Sequence, residues 1–231
     1  MADFAVAVIE AKVARQIIVK YHYSHAWAVS NFACFGAFID RRLVGVVTYG
    51  HPANMNGWRS VPGCERPRDL AELTRLWIAD SAPRFVESRA IAASLRQLRK
   101  STTDCKVVVS YADPSAGHTG VVYQATNWIY IGQMQATDSL QTADGTMLHK
   151  RGAFDRFGTS NTARLQSVSP GIKAVRMPGK HKYLYPLDRS LTSRLMLLAR
   201  PYPRAAPERD AADHAAESGA DPTAALHHGN G

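Results

Sequence analysis

Residues 108–128, VVSYADPSAGHTGVVYQATNW, set a carboxylate, two serines and two tyrosines around the point where an apolar β-branched run gives way to a helix-forming one. Asp113 sits just past the run. A carboxylate there can take a proton from an acceptor group, or it can cap the helix that follows. Ser110 and Ser115 offer hydroxyls for hydrogen bonding a ligand. Tyr111 and Tyr123 can stack on a ring, donate a proton or simply pack. A ligand commonly lies beyond the carboxyl end of a strand in an open α/β sheet, where a helix N-terminus presents N–H donors to an anion. Gly117 and Gly120 would let the backbone come close to such a ligand, or would only make a tight turn.

Two further groups carry chemistry by type and spacing. YHYSH ends an apolar-periodic segment and places His22 and His25 three residues apart, on one face if helical; His51 follows the next pair of apolar runs. Three histidines can share a metal, or each can cap, face solvent or contact phosphate. Residues 149–167, HKRGAFDRFGTSNTARLQS, interleave Lys150, Arg151, Arg156 and Arg164 with Phe154 and Phe157. Lys173, Arg176, Lys180, His181 and Lys182 extend the basic character. Such charges suit a nucleic-acid backbone, while the phenylalanines serve as core or as a wedge.

These groups need elements to hold them. AVAVIEAKVARQIIVK (5–20) predicts a helix, and FACFGAFID (32–40) with LVGVVTYG (43–50) a hairpin about a short polar connection. Residues 51–68, with three prolines and two glycines, predict a loop, and the later half of residues 70–80 a strand. A helix is expected over 81–100, with Arg and Lys in its last turn as the helix dipole prefers. CKVVVSYAD then predicts a buried strand, GHTGVVYQATN a short helix and WIYIGQM another strand. Strand, helix, strand implies a parallel or mixed sheet with a covered face. Residues 141–180 read as irregular, apart from a helix over 162–168; a last strand is expected at 182–187 and an amphipathic helix at 190–200.

Charge divides the chain in two. The net is +9 over 231 residues, but residues 205–231 hold one Arg against five acids, so residues 1–204 carry 27 Lys and Arg against 14 Asp and Glu, a net of +13. So basic a body suits nucleic acid, an acidic cofactor or an anionic surface. The expectation is one domain over 1–204 and a disordered tail over 205–231 without apolar periodicity. Three scattered cysteines argue against a disulfide framework or zinc knuckle, and no apolar run reaches the roughly 20 residues of a membrane span. A soluble, unexported protein is expected.

The motif SYAD-x-x-x-G-x-x-G-x-x-YQA, with PRFVESRAI upstream and GKHKYLYPL downstream, resembles the Mom DNA-modification proteins of Mu-like bacteriophages, a GNAT-related family, over residues 20–190. The resemblance implies an α/β (α+β) fold: a GNAT-like mixed central sheet flanked by helices, splayed between two central strands where acyl-CoA enters, and carrying a basic insertion. It implies a transferase converting adenine in double-stranded phage DNA to N6-carbamoylmethyladenine in the host cytoplasm, which shields the DNA from restriction. Acetyl-CoA or a related acyl donor would be the cofactor, and iron a candidate at His22, His25 and His51. Tyr123 matches the tyrosine that protonates a departing thiolate. The usual Gly-rich pyrophosphate loop is replaced by SAPRFVESRA, where Arg84, Ser88 and Arg89 would compensate with charge and hydroxyl. Lys150, Arg151, Arg156, Arg164, Lys180 and Lys182 would contact DNA, with Phe154 or Phe157 wedging beside an extruded base. Two other readings stay open: a conventional acetyltransferase of a small amine or protein, and a non-catalytic DNA-binding protein on the same scaffold. The implied product bonds N6 to a CH2 carbon, whereas attack on a thioester would leave an N-acetyl group. Either a donor methyl carbon is activated, or a glycinamide-like unit arrives by another route.

Overall fold

The computed structural model describes residues 3–102, 104–148, 153–154 and 157–203. Lys150, Arg151, Arg156 and the tail beyond Arg204 lie outside the described residues, so the expectations for them stand where the sequence left them.

The helix expected from residue 5 begins at Ala11. Before it, β1 (Phe4–Val8) pairs antiparallel with the strand of the following hairpin. FAVAV satisfies a period of two, with Phe4 and Val6 against the main core, and edge pairing outweighs the helix preference of its alanines. In α1 (Ala11–Tyr21), Ala14, Ile17 and Ile18 form the buried stripe. The hairpin forms as expected: β2 (Asn31–Ile39) and β3 (Arg42–Gly50) join through Asp40 and Arg41, both left-handed (φ 46° and 68°), a turn whose twist suits the flanking strands.

The predicted loop 51–68 contains two short 3₁₀ turns, Gly57–Ser60 and Pro67–Asp69. Beyond it β4 (Leu70–Ile78) is a strand throughout, with a bulge: Thr48 pairs with Arg75 and Tyr49 with Leu73, so Thr74 is extra. α2 (Val86–Ser101) starts later than expected, because Pro83 and the left-handed Phe85 (φ 70°) hold the chain out of helix until Val86. Ala90, Ile91, Leu95 and Leu98 bury its inner face, each large side chain contributing about 1.5–3 kcal/mol. β5 (Val107–Ala112), α3 (Val121–Gln124) and β6 (Ile129–Gln133) follow in the expected order.

The stretch expected to be irregular is largely a second sheet. β7 (Thr137–Gln141), β8 (Met147–Leu148) and β9 (Lys173–Met177) pair antiparallel in the order β8-β7-β9, and α4 (Thr162–Val168) lies where the sequence placed it. The Asn161 side chain caps α4 by accepting from the Arg164 N–H at 3.1 Å. Leu140, Ala153, Leu165 and Ile172 form a small core there. A strand as polar as TDSLQ, or as short as ML, gives too little alternation to be recognised.

β10 (His181–Pro186) returns to the main sheet and α5 (Thr192–Met196) packs after it. The order is β1-β2-β3-β4-β5-β10-β6, with β4 and β5 parallel and the other neighbouring pairs antiparallel. β10 therefore separates β5 from β6. The fold is the mixed central sheet flanked by helices that the resemblance implied. One face packs on α2 and α3 through Phe35, Val47, Tyr49, Leu73 and Val108. The other packs on α1 through Cys34 and Val46, and on α5 and the 57–64 turns through Leu70, Val107 and Val109. Past β6, the Arg200 N–H donates to the Tyr130 carbonyl (2.8 Å) and the Tyr202 hydroxyl to the Trp128 carbonyl (2.7 Å), covering a strand edge that would otherwise invite pairing.

The insertion leaves β6 and rejoins β10 through two segments packed side by side. The Met134 N–H donates to the Lys180 carbonyl (2.9 Å), and Gln133 Nε2 to the Gly179 carbonyl (2.8 Å). A Cβ on Gly179 would lie 1.7 Å from the Met134 carbonyl oxygen, so the crossing admits no side chain. Gly179→Ala should therefore cost about 2 kcal/mol or more, lowering Tm by roughly 4–8 °C in a thermal melt followed by circular dichroism; a Tm within 1 °C or so of wild type would refute the close crossing.

Candidate active site

The β4/β5 ladder is short. Leu70, Ala71 and Glu72 pair with Val107, Val108 and Val109, and then the strands part. The Ser110 hydroxyl stands in the gap, 3.2 Å from the Leu73 carbonyl and 2.8 Å from the Tyr123 hydroxyl. It thus occupies a carbonyl that the missing ladder would leave unpaired.

A cleft of about 360 Å³ opens at this splay. Strand alternation and the bulge at Thr74 divide its lining between the two faces of the sheet. His22 and Tyr23 at the end of α1, with Arg75 and Tyr111, lie on the α1 face; Leu73, Leu76, Ile78, Val122, Tyr123 and Glu87 of α2 lie on the other. Gly117, His118, Thr119 and Gly120 complete it. The cleft therefore passes through the sheet.

The turn after β5 is fixed by its own polar groups. Asp113 accepts from the Ser115 N–H (3.0 Å) and hydroxyl, and its other oxygen meets Lys180 Nζ at 3.0 Å. Burial pushes the Asp113 carboxyl up, but Ser115 and Lys180 outweigh it and leave it below the usual carboxylate range. Gly117 and Gly120 are left-handed (φ 74° and 85°). A Cβ on Gly120 would lie 2.4 Å from the Tyr183 ring, whose hydroxyl donates to the Thr119 carbonyl at 2.5 Å. Tyr123 is buried, which pushes its phenol up to about 12 despite the Ser110 hydrogen bond, so it holds its proton at neutral pH.

β5, the turn after it and α3 thus carry Ser110, Tyr111, Asp113, Ser115, Gly117, Gly120 and Tyr123, with Lys180 joining from the insertion. Tyr111, Gly117, Gly120 and Tyr123 line the cleft, while Ser110 and the Asp113, Ser115 and Lys180 cluster lie beside its lining. The three histidines are not brought together. His22 lines the cleft, the His25 Nδ1 lies 3.1 Å from the Val19 carbonyl, and the His51 ring packs on Phe32. Among the described residues no group of three or more His, Cys, Asp or Glu is placed to hold a metal. At the head of α2, the Ser88 hydroxyl donates to the Phe85 carbonyl, the Arg89 guanidinium lies 4.1 Å from the Phe4 ring centroid, and Arg84 lies 5.7 Å from that of Phe85. Ser88 and Arg89 are engaged within the fold, which leaves Arg84 as the side chain of that trio better able to turn to a ligand. Lys182 pairs in register with Tyr111 on β10, and burial lowers its ammonium; Arg164 is exposed on α4.

Sequence reading missed four polar residues that line the cleft, Tyr23, Arg75, Glu87 and His118, and Glu72 on β4 beside them. Tyr23 lay within YHYSH, which drew attention for its histidines. Its ring is 55% exposed, and stacks on His22 (4.3 Å between centroids) and near His118 (5.2 Å). Glu72 and Arg75 were legible as opposite charges three apart inside the apolar run LAELTRLWIAD. Arg75 donates to the Ala26 and Thr74 carbonyls (2.9 and 2.6 Å), tying the segment after α1 to β4. Burial raises the Glu72 carboxyl, opposed by the Ala53 N–H, Arg75 and Lys180.

The chain is thus a mixed α/β protein whose central sheet is splayed between β4 and β5 around a cleft. The chain matches the Mom protein family over residues 3–204 and belongs to that family. It is 31% identical over 207 residues to the methylcarbamoylase mom of Escherichia phage Mu, covering 87% of this chain and 84% of that protein. Among solved structures, an N-acyl amino acid synthase from uncultured soil microbes aligns at TM-score 0.46 and 14% identity, over 82% of this chain and 93% of that one. A Bacillus subtilis acetyltransferase in complex with CoA aligns at TM-score 0.40 and 9% identity, over 80% and 99%.

His22 ties the cleft to pH. Its Nδ1 accepts the Ser24 N–H at 3.1 Å, which leaves the proton of the neutral ring on Nε2. Burial, then Arg75, His118 and His25, push its pKa from 6.5 down to about 4. Folding must hold this ring neutral, so its stabilising contribution is complete above pH 6.5 and is lost as pH falls toward 4, by about 3 kcal/mol in all. In urea titrations, the stability difference between wild type and His22→Gln should shrink by that amount from pH 7 to pH 4. A difference independent of pH would show that His22 titrates normally.

Proposed function

We propose that this chain is a DNA-modifying transferase that places a carbamoylmethyl group on N6 of adenine in phage DNA within the host cell, shielding that DNA from restriction. The observation that carries the reading is the cleft through the sheet, aromatic and polar on the α1 face and, apart from Glu87 and the Tyr123 hydroxyl, apolar on the α2 face. The relative's name, a methylcarbamoylase, agrees with the group transferred, and a body of net charge +13 suits double-stranded DNA.

An adenine inside a duplex must leave the stack to be modified. Tyr23, half-exposed at the mouth beside His22 and His118, is the platform on which the extruded base stacks. The donor, a CoA-linked or related carrier of an activated CH2 or glycinamide-like unit, enters from the α2 face, the end it transfers against Leu76, Ile78 and Val122. Phosphate recognition there falls to Arg84 in place of a Gly-rich loop. No step is routed through iron, because among the described residues no group of three or more His, Cys, Asp or Glu is placed to hold it.

Adenine N6 is a weak nucleophile, its lone pair being delocalised into the ring, so its proton must be taken as the new bond forms. Asp113, the residue after Ala112 of the cleft lining, is the acceptor. The new bond joins N6 to a CH2 carbon. Tyr123, protonated at neutral pH and hydrogen-bonded to Ser110, therefore gives its proton to the group displaced from that carbon as the N6–C bond forms, not to a thiolate expelled from a thioester carbonyl. Ser110 orients that phenol, while Arg164, Lys180 and Lys182 hold phosphates of the duplex.

Nucleoside mass spectrometry on plasmid DNA from cells expressing the chain tests this. Wild type should yield a deoxyadenosine adduct with the mass of a carbamoylmethyl group, and Asp113→Asn and Tyr123→Phe should reduce it by roughly 10²-fold or more. Unmodified DNA beside folded, soluble wild-type protein would sink the reading; wild-type adduct levels in a variant would remove that residue from the chemistry.

A further inference from the structure

Lys180 belongs to two places at once. It lies in the segment by which the insertion rejoins the main sheet, its own carbonyl held by the Met134 N–H and the preceding glycine jammed against the Met134 carbonyl. Its ammonium is nevertheless committed inward, 3.0 Å from Asp113 Oδ2. The pair sits at the protein surface: 44% of the Lys180 side chain is exposed but only 16% of Asp113. The lysine can be reached by an anion from outside, whereas the carboxylate cannot easily find another cation.

The other charged groups around Asp113 do not replace Lys180. His118, in the same turn, gives its backbone N–H to the Asp113 carbonyl oxygen rather than to the carboxylate. His181 on β10, opposite Ala112, has its Nδ1 2.9 Å from the Tyr130 hydroxyl. Glu72 on β4 is a second carboxylate that draws on Lys180. Ser115 donates to Asp113 without bringing charge. Lys180 is thus the cation that holds the Asp113 carboxylate, in competition with Glu72.

We propose that a backbone phosphodiester of bound DNA takes Lys180 from Asp113, so that the carboxylate becomes an effective proton acceptor only once the substrate is in place. Resting on the DNA reading above, this makes Lys180 a positioning residue that couples the insertion to the cleft. The proton step balances simply: an N–H bond of the acceptor amine breaks, and an O–H bond forms on Asp113. Without DNA the ion pair keeps the carboxylate ionised and a poor acceptor; with the phosphate on Lys180, what remains is burial, which favours the protonated form, and the hydrogen bonds of Ser115.

The experiment follows the Asp113 side-chain carboxyl by ¹³C NMR titration in the full chain, assigned with Asp113→Asn, with and without an adenine-containing duplex oligonucleotide. Fluorescence anisotropy measures duplex binding in parallel. The Asp113 titration midpoint should rise when the duplex binds. In Lys180→Gln it should already be raised without DNA and should not move on binding, and the slope of log affinity against log salt should flatten by about 0.9, one phosphate contact. Lys180→Arg should restore the wild-type response, and Arg164→Gln should flatten the salt slope yet keep it. Because His118 and Glu72 remain in every variant, a response that survives Lys180→Gln would belong to them and overturn the proposal. A duplex that binds wild type without moving Asp113 would overturn the proposal alone, whereas a duplex that does not bind would overturn the DNA reading with it.

Discussion

The structure turns on a ladder that stops after three residue pairs. Parallel strands kept in register to their ends would bury Leu73 and Ser110 in a continuous sheet and leave no way through it. Once β4 and β5 diverge beyond Glu72 and Val109, backbone groups that should pair are exposed at the centre of the molecule. A buried carbonyl without a partner costs on the order of 1–3 kcal/mol, so the divergence persists only because side chains answer it. Ser110 answers for Leu73, the bulge at Thr74 absorbs the change in register with β3, and Arg75 caps two carbonyls from the α1 side. The residues that satisfy the gap are also residues lining the cleft or touching its lining, so the chemistry available there follows from the means of keeping the sheet open.

The same constraint sets the charge states. A cleft passing through a sheet is only partly wet, and burial is the leading influence on His22, Glu72, Tyr111 and Tyr123. The imidazole is driven neutral and the phenols are kept protonated. The exception is Asp113, where specific partners outweigh burial. A carboxylate kept ionised amid groups driven toward neutrality marks the turn as a place where charge is managed by pairing, and its partner comes from a different structural unit.

The strands were legible where they were long. β2, β3, β5 and β10 carry runs of β-branched and aromatic residues, and α2 carries a clean apolar stripe with basic residues at its end. β1 was misread because FAVAV suits both periods and only pairing with β2 decides between them. β7, β8 and β9 were invisible because TDSLQ, ML and KAVRM are too short or too mixed in polarity to show a period, and become strands only by pairing with one another. The turn after β5 was readable because Asp, Pro and Gly each have a specific backbone role, and those roles hold. What the sequence concealed was the α1 side of the cleft: Tyr23, Arg75 and His118 come from three segments joined only in space. The proposed iron histidines show the opposite error, since spacing along the chain suggested a convergence that the hairpin geometry does not make.

Phe85 shows what the departure from a Gly-rich loop entails. A bulky residue in the left-handed region costs about 1–3 kcal/mol and survives only where the surroundings over-determine it. Here Ser88 holds its carbonyl and Pro83 fixes the approach, so the head of α2 is rigid although glycine is absent. That rigidity directs Glu87, in the first turn, toward the cleft. A carboxylate at this point offsets the attraction that a helix N-terminus has for anions, so the head of α2 is less suited to phosphate along its axis than a glycine-rich turn. SAPRFVESRA therefore gives the head of α2 a rigid start and a carboxylate facing the cleft, where a glycine-rich turn would offer bare backbone amides.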